Sequence, residues 1–143
     1  MDCIFCEIAQ KKSTAEILFE NEKFLAFLDI NPINYGHTLI IPKEHYDNFL
    51  TVPENELSEI TKLTQYLAGA VKRALKSDGF NIISNNGSSA GQTVYHFHYH
   101  IIPRFENDFH MKPHTKEYDD NEIKKFAEQI KSFIAKYEGL ING

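Results

Sequence analysis

Val94-Tyr95-His96-Phe97-His98-Tyr99-His100-Ile101-Ile102 is the stretch of this sequence that says most about its fold. Histidines alternate with aromatic and aliphatic residues, which predicts a β-strand over 94–102 with the three imidazoles on one face. Each imidazole needs partners for two ring nitrogens, so three on one face indicate a functional site more than a solvated one. Same-face neighbours lie ~6.6 Å apart and metal–nitrogen bonds are ~2 Å long, so one ion binding all three rings would strain the strand. The spacing favours a division of roles, in which one end of the triad binds a metal and the middle ring is catalytic.

The rest of the chain predicts four more strands and two helices. Helical periodicity runs from Glu54 to Ser77 and again over 120–137, where Asp119 and Glu122 suit the helix start. The order is strands, a long helix, two strands and a terminal helix. It predicts an α+β fold with a mostly antiparallel five-stranded sheet, one long central helix and a C-terminal helix. The other predicted strands cover 17–19, 23–29, 37–41 and 80–84.

Length and composition limit the class of protein. A chain of 143 residues has room for one domain, expected over 1–143 with a cysteine-containing segment at 1–8. Its formal charge of −5, from 15 Lys and Arg against 20 Asp and Glu, argues against a nucleic-acid binder. The longest apolar run, Phe24 to Leu28, is far short of the ~20 residues that span a bilayer, so we expect no membrane partner. Two cysteines and no leader-like start favour a reducing, cytoplasmic location.

Several ordered motifs resemble the histidine triad (HIT) family. The run from His96 to Ile102 matches that family's pattern of three histidines alternating with apolar residues, and Gly91-Gln92-Thr93-Val94 looks like its phosphate loop. Phe27-Leu28-Asp29-Ile30 and the segment from Gly36 to His45 resemble its other two signature segments. The resemblance covers most of the chain from Cys3 to Arg104 and is strongest to the small Hint-type bacterial members. It implies the HIT fold.

The resemblance also implies a role for each matching residue. His98 would be the nucleophile that attacks the α-phosphorus of a nucleotide, while His100 and His37 would act at the same site and His96 would complete the catalytic set. Asp29 would accept hydrogen bonds from ribose hydroxyls. The remaining nucleotide contacts would come from Ile30, Asn85, Gly91, Gln92, Thr93 and Val94, with the Gln92 amide and the Thr93 hydroxyl stabilising phosphate charge.

The pair Cys3-Ile4-Phe5-Cys6 has the spacing of half a zinc site. A redox pair belongs at a helix start just after a strand, and only Met1 and Asp2 precede this one. Candidates for the other two ligands are His45 and His96, an arrangement that zinc-bearing relatives in the wider superfamily use. We therefore expect a structural Zn²⁺ rather than two buried free thiols.

The implied function is hydrolysis or transfer at the α-phosphate of purine nucleoside 5′-monophosphate derivatives, such as phosphoramidates or aminoacyl adenylates. It would proceed through a nucleotidyl-histidine, with no metal needed for the chemical step, in a homodimer whose sheets join side by side. The alternatives are a dinucleoside polyphosphate hydrolase, a nucleotide-binding interaction protein with residual hydrolysis, and a metallohydrolase holding one catalytic ion on the three histidines.

Overall fold

The computed structural model describes residues 2–108 and 114–141. It divides the chain into two compact units, residues 1–108 and 109–143. The first unit contains every described strand and both candidate clusters. Its elements, in chain order, are α1 (Ile4–Ala9), β1 (Ile17–Glu20), β2 (Phe24–Leu28), β3 (Thr38–Pro42), α2 (Glu54–Leu75), β4 (Gly79–Ile83), a 3-10 turn (Ser88–Ala90) and β5 (Tyr99–Arg104).

The five strands form one antiparallel sheet in the order β1-β2-β3-β5-β4. His100 lies on β5, between β3 and the edge strand β4, opposite Leu39 on β3 and Ile83 on β4. The predicted α+β class, the five-stranded antiparallel sheet, the long central helix and the C-terminal helix are all confirmed.

Alternation along the strands gives the sheet two apolar faces. On one face Ala26 and Ile40 join the core that α2 completes with Ile60 and Ala68. The residues of the other face pack with α1 around a second core. That core consists of Phe5, Ile8, Leu25, Phe27, Leu39 and Ile41. The face that packs with α1 is also the one to which the histidines point.

The strand predicted over 94–102 is shorter than expected, because regular pairing begins only at Tyr99. Before that point the Phe97 N–H donates to the Tyr46 carbonyl at 2.6 Å, so the chain bonds to the segment after β3 instead of continuing the ladder. The side-chain alternation nevertheless persists through this irregular stretch. Phe97, Tyr99 and Ile101 enter the core next to α2, and the three histidines face the other way.

Helix α1 was not anticipated from the sequence. It has only six residues, and Cys3 caps it by accepting a hydrogen bond from the Cys6 N–H at 3.4 Å. The cysteine pair therefore does lie at a helix start, and all the described strands follow it in the chain.

The second unit contains α3 (Glu122–Ile141), close to the predicted 120–137. The predicted cap at its start is present, since Oε1 of Glu122 accepts from the Asp119 N–H at 2.6 Å. None of the helices in the described part of the chain is both long and apolar enough to cross a bilayer.

Candidate functional site

The three triad histidines are divided between two sites on the face of the sheet next to α1. His96 lies beside both cysteines, whereas His98 and His100 line a cavity of about 350 Å³. The rings of His98 and His100 are in contact, with centroids 4.8 Å apart. This arrangement matches the predicted division of labour within the triad. It also removes the geometric basis for a single ion on all three rings, since they are not one ligand group among the described residues.

His98 presents an unprotonated nitrogen to the cavity. Its Nδ1 lies 2.7 Å from the His96 carbonyl oxygen, which can only accept, so Nδ1 carries the proton and Nε2 keeps its lone pair. The side chain is 7% exposed, and this burial lowers the pKa of His98 below the ordinary imidazole value. A neutral imidazole with a free lone pair is the form that a nucleophile requires.

His100 carries its proton on the opposite nitrogen. The Ile33 N–H donates to Nδ1 of His37 at 3.1 Å, so Nε2 of neutral His37 holds the proton and donates to Nδ1 of His100 at 2.9 Å. The remaining His100 proton is therefore on Nε2. That nitrogen is buried and has no hydrogen-bond partner among the residues that the structure describes. Burial lowers the pKa of His100 to about 4 and also lowers that of His37, which keeps both rings neutral.

Asp29 lies at the edge of the same cavity. Its Oδ1 accepts from the Asn31 N–H at 2.9 Å, and its Oδ2 lies 3.7 Å from Nε2 of His37. One carboxylate oxygen therefore shapes the turn, while the other has room for a further donor. Ile30, the next residue, is 88% exposed at the cavity rim.

Asp29, His37 and His100 bring three potential metal-ligand atoms within 4.8 Å of one another. The protonation pattern argues against their use as a metal site. Nε2 of His37 bears a proton as long as the Ile33 N–H occupies Nδ1, so it has no lone pair to offer a cation.

The loop before the histidines is held by its own side chains. Glycines at 87 and 91 adopt φ of +88° and +91°, conformations that a side chain disfavours. The Gln92 side chain donates to the Asp47 and Val94 carbonyls and accepts from the Gly87 N–H, while its backbone N–H donates to the Gly87 carbonyl. Every N–H of Gln92 is thus in use. This geometry does not support the predicted contact between its amide and phosphate, and gives Gln92 a role in shaping the loop.

The other predicted loop residues lie at different distances from the cavity. Thr93 and Val94 line it directly. Asn85 packs beside Gly91, and a Cβ at that glycine would lie 3.9 Å from the Asn85 amide. The neighbouring Asn86 is committed elsewhere, since it accepts from the Phe49 N–H at 2.8 Å.

The second site brings together the four predicted metal ligands. Sγ of Cys3 and Sγ of Cys6 each lie 3.5 Å from Nδ1 of His96, and Sγ of Cys6 lies 3.3 Å from Nδ1 of His45. All four ligand atoms fall within 4.8 Å of one another. A tetrahedral Zn²⁺, with bonds of ~2.3 Å to sulfur and ~2.1 Å to nitrogen, would place sulfur and nitrogen ligands about 3.6 Å apart. The cluster therefore has the size of a zinc site.

The surroundings of the cluster also suit a cation. Nε2 of His96 donates to the Pro42 carbonyl at 2.7 Å, and Nε2 of His45 contacts Oδ1 of Asp47 at 3.0 Å. Both contacts leave the Nδ1 lone pairs directed at the cysteines, as hydrogen bonds to metal-bound histidines do. Burial and the neighbouring Cys3 thiol raise the pKa of Cys6 to about 11, so a thiolate there needs a cation beside it.

Sequence reasoning missed the residues that orient these side chains. The Pro42 carbonyl and the Ile33 N–H are backbone groups, and no side-chain pattern indicates them. Phe5 and Ile8 of α1 form a wall of the cavity, and their spacing of three residues is the one signal that could have placed them on a helix face. No pattern in the sequence indicated that Asp47, two residues after His45, would contact the His45 ring.

Comparison with known proteins identifies a family model and close relatives. The HIT domain model matches residues 10–107. An uncharacterized HIT-like protein of Methanocaldococcus jannaschii is 49% identical over 106 residues, which are 74% of this chain and 81% of that protein. An Arabidopsis thaliana protein named adenylylsulfatase is 35% identical over 136 residues, covering 95% of this chain and 69% of its own.

Solved structures share the fold. A Streptococcus mutans protein superposes with a TM-score of 0.87 at 40% identity, covering 93% of this chain and 85% of its own. A Zn-bound histidine triad family protein from Mycobacterium smegmatis has a TM-score of 0.72 at 38% identity, with coverage of 80% and 85%. A hypothetical histidine triad nucleotide-binding protein from Sulfolobus tokodaii gives 0.72 at 39% identity, with 83% of each chain covered.

Proposed function

Because this chain belongs to the HIT family, we propose that it hydrolyses purine nucleoside 5′-monophosphate derivatives at the α-phosphate through a nucleotidyl-histidine. Its substrates are phosphoramidates or aminoacyl adenylates. The observation that carries the proposal is the contact between the rings of His98, whose Nε2 keeps its lone pair, and His100, whose Nε2–H is a buried donor without a partner among the described residues. A nucleophile and a donor lining one cavity are the two groups that displacement at phosphorus needs.

The reaction has two displacements at phosphorus. In the first, Nε2 of His98 bonds to the α-phosphorus as the bond from phosphorus to the leaving group breaks. The Nε2–H of His100 donates a hydrogen bond to the phosphoryl or leaving atom as charge develops there. In the second, water attacks phosphorus as the bond to Nε2 breaks, the electron pair returns to His98 and the nucleoside monophosphate leaves. The attacking water releases one proton to solvent, which balances the proton that an amine leaving group takes from solvent in the first displacement. His37 supports this chemistry as a positioning residue, since it reaches the cavity only through His100.

The rest of the cavity suits a nucleoside. Its walls are the apolar side chains of Phe5, Ile8 and Phe27, against which a purine can pack, and Asp29 stands at the rim for ribose hydroxyls. Thr93 and Val94 continue the lining beside His98, where the phosphate would lie.

Zn²⁺ is the metal that we assign to the ligands Cys3, Cys6, His45 and His96. The ligand types, their spacing and the Zn-bound relative support this assignment. Four protein ligands leave no open position for a substrate, so the ion is structural and ties α1 to the sheet. Thiols that bind metal need a reducing compartment, which favours the cytoplasm.

A homodimer is part of the proposal. β4 is an edge strand, and its Phe80 and Ile82 are 41% and 42% exposed beside a groove of about 250 Å³ against α2. An unpaired apolar edge is a template for strand pairing, and a second copy of β4 would pair with it side by side.

The adenylylsulfatase relative favours a second substrate for the same site, adenylyl sulfate. This compound also carries an adenylyl group and a leaving group on the α-phosphorus. Adenylyl sulfate and adenosine 5′-phosphoramidate share the adenylyl group and differ in the leaving group, so parallel assays distinguish them.

The deciding experiment is steady-state hydrolysis of adenosine 5′-phosphoramidate and of adenylyl sulfate by the wild type and His98→Ala. A diadenosine polyphosphate is assayed in parallel. We expect turnover with one of the first two substrates and a loss of at least about a thousandfold in the variant. His114→Ala is the matched control, because His114 is exposed and lies in the other unit. If the protein turns over the polyphosphate preferentially, its substrates are dinucleoside polyphosphates instead of the proposed class. If it binds nucleotide without turnover, the result favours an interaction protein.

A further inference from the structure

We propose that metal binding at the cysteine cluster and nucleotide binding in the cavity strengthen each other through Phe5, which acts as a positioning residue for His98. The inference rests on the proposed nucleotide site and adds a coupling between that site and the metal site. Its basis is the place of one aromatic ring between the two.

Phe5 lies between the two metal-ligand cysteines in the chain and contacts both sites. Its ring meets the His96 ring edge to face at a centroid distance of 5.9 Å and the His98 ring at 5.0 Å. It also packs against Phe27 at 5.6 Å and is 7% exposed. One buried side chain thus touches a metal ligand, the proposed nucleophile and the base-binding wall.

Helix α1 depends on the cysteine cluster for its position. Isolated helices shorter than ~12 residues are marginal in water, and α1 has six. Cys3 and Cys6 lie at its first turn, so a metal held by both cysteines and by His45 and His96 would clamp this turn to the sheet. Clamping α1 orders the Phe5 ring against His98, which a nucleotide would otherwise have to order when it binds.

Coupling of this kind is reciprocal. If metal raises the affinity for nucleotide by some factor, nucleotide raises the affinity for metal by the same factor. Typical factors are about 5 to 150, and we expect about tenfold here. The effect appears in binding constants and does not require turnover.

The test measures AMP affinity by titration calorimetry on the full chain, loaded with one equivalent of Zn²⁺ or stripped by a chelator. The temperature is one at which circular dichroism shows the stripped protein folded. The reciprocal arm measures transfer of Zn²⁺ to a chromogenic chelator with and without saturating AMP, corrected for zinc binding by AMP alone. We expect about tenfold weaker AMP binding to stripped protein, and Zn²⁺ binding tighter by the same factor with AMP.

Two variants identify the residue that transmits the effect. Phe5→Leu keeps an apolar wall but loses the ring edges on His96 and His98, so the coupling factor should fall towards one. Ile8→Ala removes part of the apolar wall from the same helix but keeps the Phe5 ring that contacts both histidines, so AMP should bind more weakly in both metal states with the coupling factor unchanged.

Three results would overturn the inference in distinguishable ways. Equal AMP affinity with and without Zn²⁺ refutes the coupling and leaves the proposed function intact. Coupling that survives Phe5→Leu removes the role of Phe5. Absence of AMP binding to zinc-loaded wild type refutes the proposed function, and the inference with it.

Discussion

Nε2 of His37 lies 2.9 Å from Nδ1 of His100, and this contact leaves the proton of neutral His100 on Nε2. The Ile33 N–H sets the direction of the bond from the far side of His37. A backbone amide thereby determines, through two rings, that Nε2 of His100 is a donor and not a lone pair. His37 itself is 3% exposed and takes no part in lining the cavity.

The pH dependence of kcat/KM should show an acid limb below the ordinary range of histidine. Burial lowers the pKa of His98, and that of His100 to about 4, so both rings stay neutral as the pH falls through 6.5. An ordinary imidazole, with a pKa of ~6.5, would lose about three-quarters of its neutral form by pH 6. We expect kcat/KM to fall by less than this fraction between pH 8 and pH 6. A midpoint at or above 6.5 would contradict the assignment.

The lowered pKa of His100 also makes the stability of the fold depend on pH in the acid range. In the unfolded chain His100 takes up a proton near pH ~6.5, whereas the folded ring resists protonation down to about 4. Its contribution to the free energy of unfolding is therefore complete above pH 6.5 and is lost progressively as the pH falls from 6.5 to 4. Urea unfolding at pH 7 and pH 5 should give the lower stability at pH 5, and a His100→Asn variant should show a smaller difference.

Replacing a metal ligand should remove the metal and loosen the fold without abolishing chemistry. We expect purified wild type to hold one Zn²⁺ per chain by atomic emission, and Cys6→Ser to lose it with a drop in melting temperature of about 5 °C or more. Hydrolysis by the stripped protein should show a raised KM with kcat largely kept, since the proposed chemical step uses no metal. Ser13→Ala serves as the control, because it removes a hydrogen bond from the segment after α1 to Glu7 and leaves all four metal ligands in place. A kcat that collapses on chelation while the fold persists would indicate a catalytic ion instead.

The proposed dimer predicts that one charge on the β4 edge gives a monomer. Ile82→Lys puts a cation on the apolar edge strand, where pairing would bury it without a partner. Sedimentation should give twice the 16.5 kDa chain mass for wild type and the single mass for the variant. Leu18→Lys places the same charge on β1, the opposite edge, and should leave the dimer intact. A wild type that sediments as a monomer would refute the prediction.

Gly36 should tolerate no side chain. Its φ is +93°, and a Cβ there would overlap Cδ1 of Leu75. Strain in the backbone and at this contact should lower the free energy of unfolding of Gly36→Ala by about 2–4 kcal/mol, measured by urea denaturation. Gly79→Ala is the matched control, because a Cβ there meets nothing within 4 Å and we expect a change of less than about 1 kcal/mol. Equal effects at the two glycines would show that the overlap is relieved at no cost.

Much of this molecule was predictable because its patterns are local. Alternation places every second residue on one face of an extended chain whether or not the ladder forms, so the three histidines share a face even where pairing stops before Tyr99. The spacing of Cys3 and Cys6 likewise marks half of a metal site, since two residues between thiols let both reach one ion. Helical periodicity gave the bounds of α2 and α3 to within a few residues.

What only the tertiary structure decided is which nitrogen of each histidine is free. The His96 carbonyl sets His98, the Pro42 carbonyl sets His96, and the Ile33 N–H sets His37 and through it His100. The two carbonyls and the N–H are backbone groups, so the type of residue that carries them does not indicate their role. The Pro42 contact also joins positions 54 apart in the chain. The residue types and their spacing thus determined which chemistry is available. The hydrogen bonds that the fold gives to each ring determined which nitrogen keeps its lone pair, because a proton on an imidazole follows its hydrogen-bond partners.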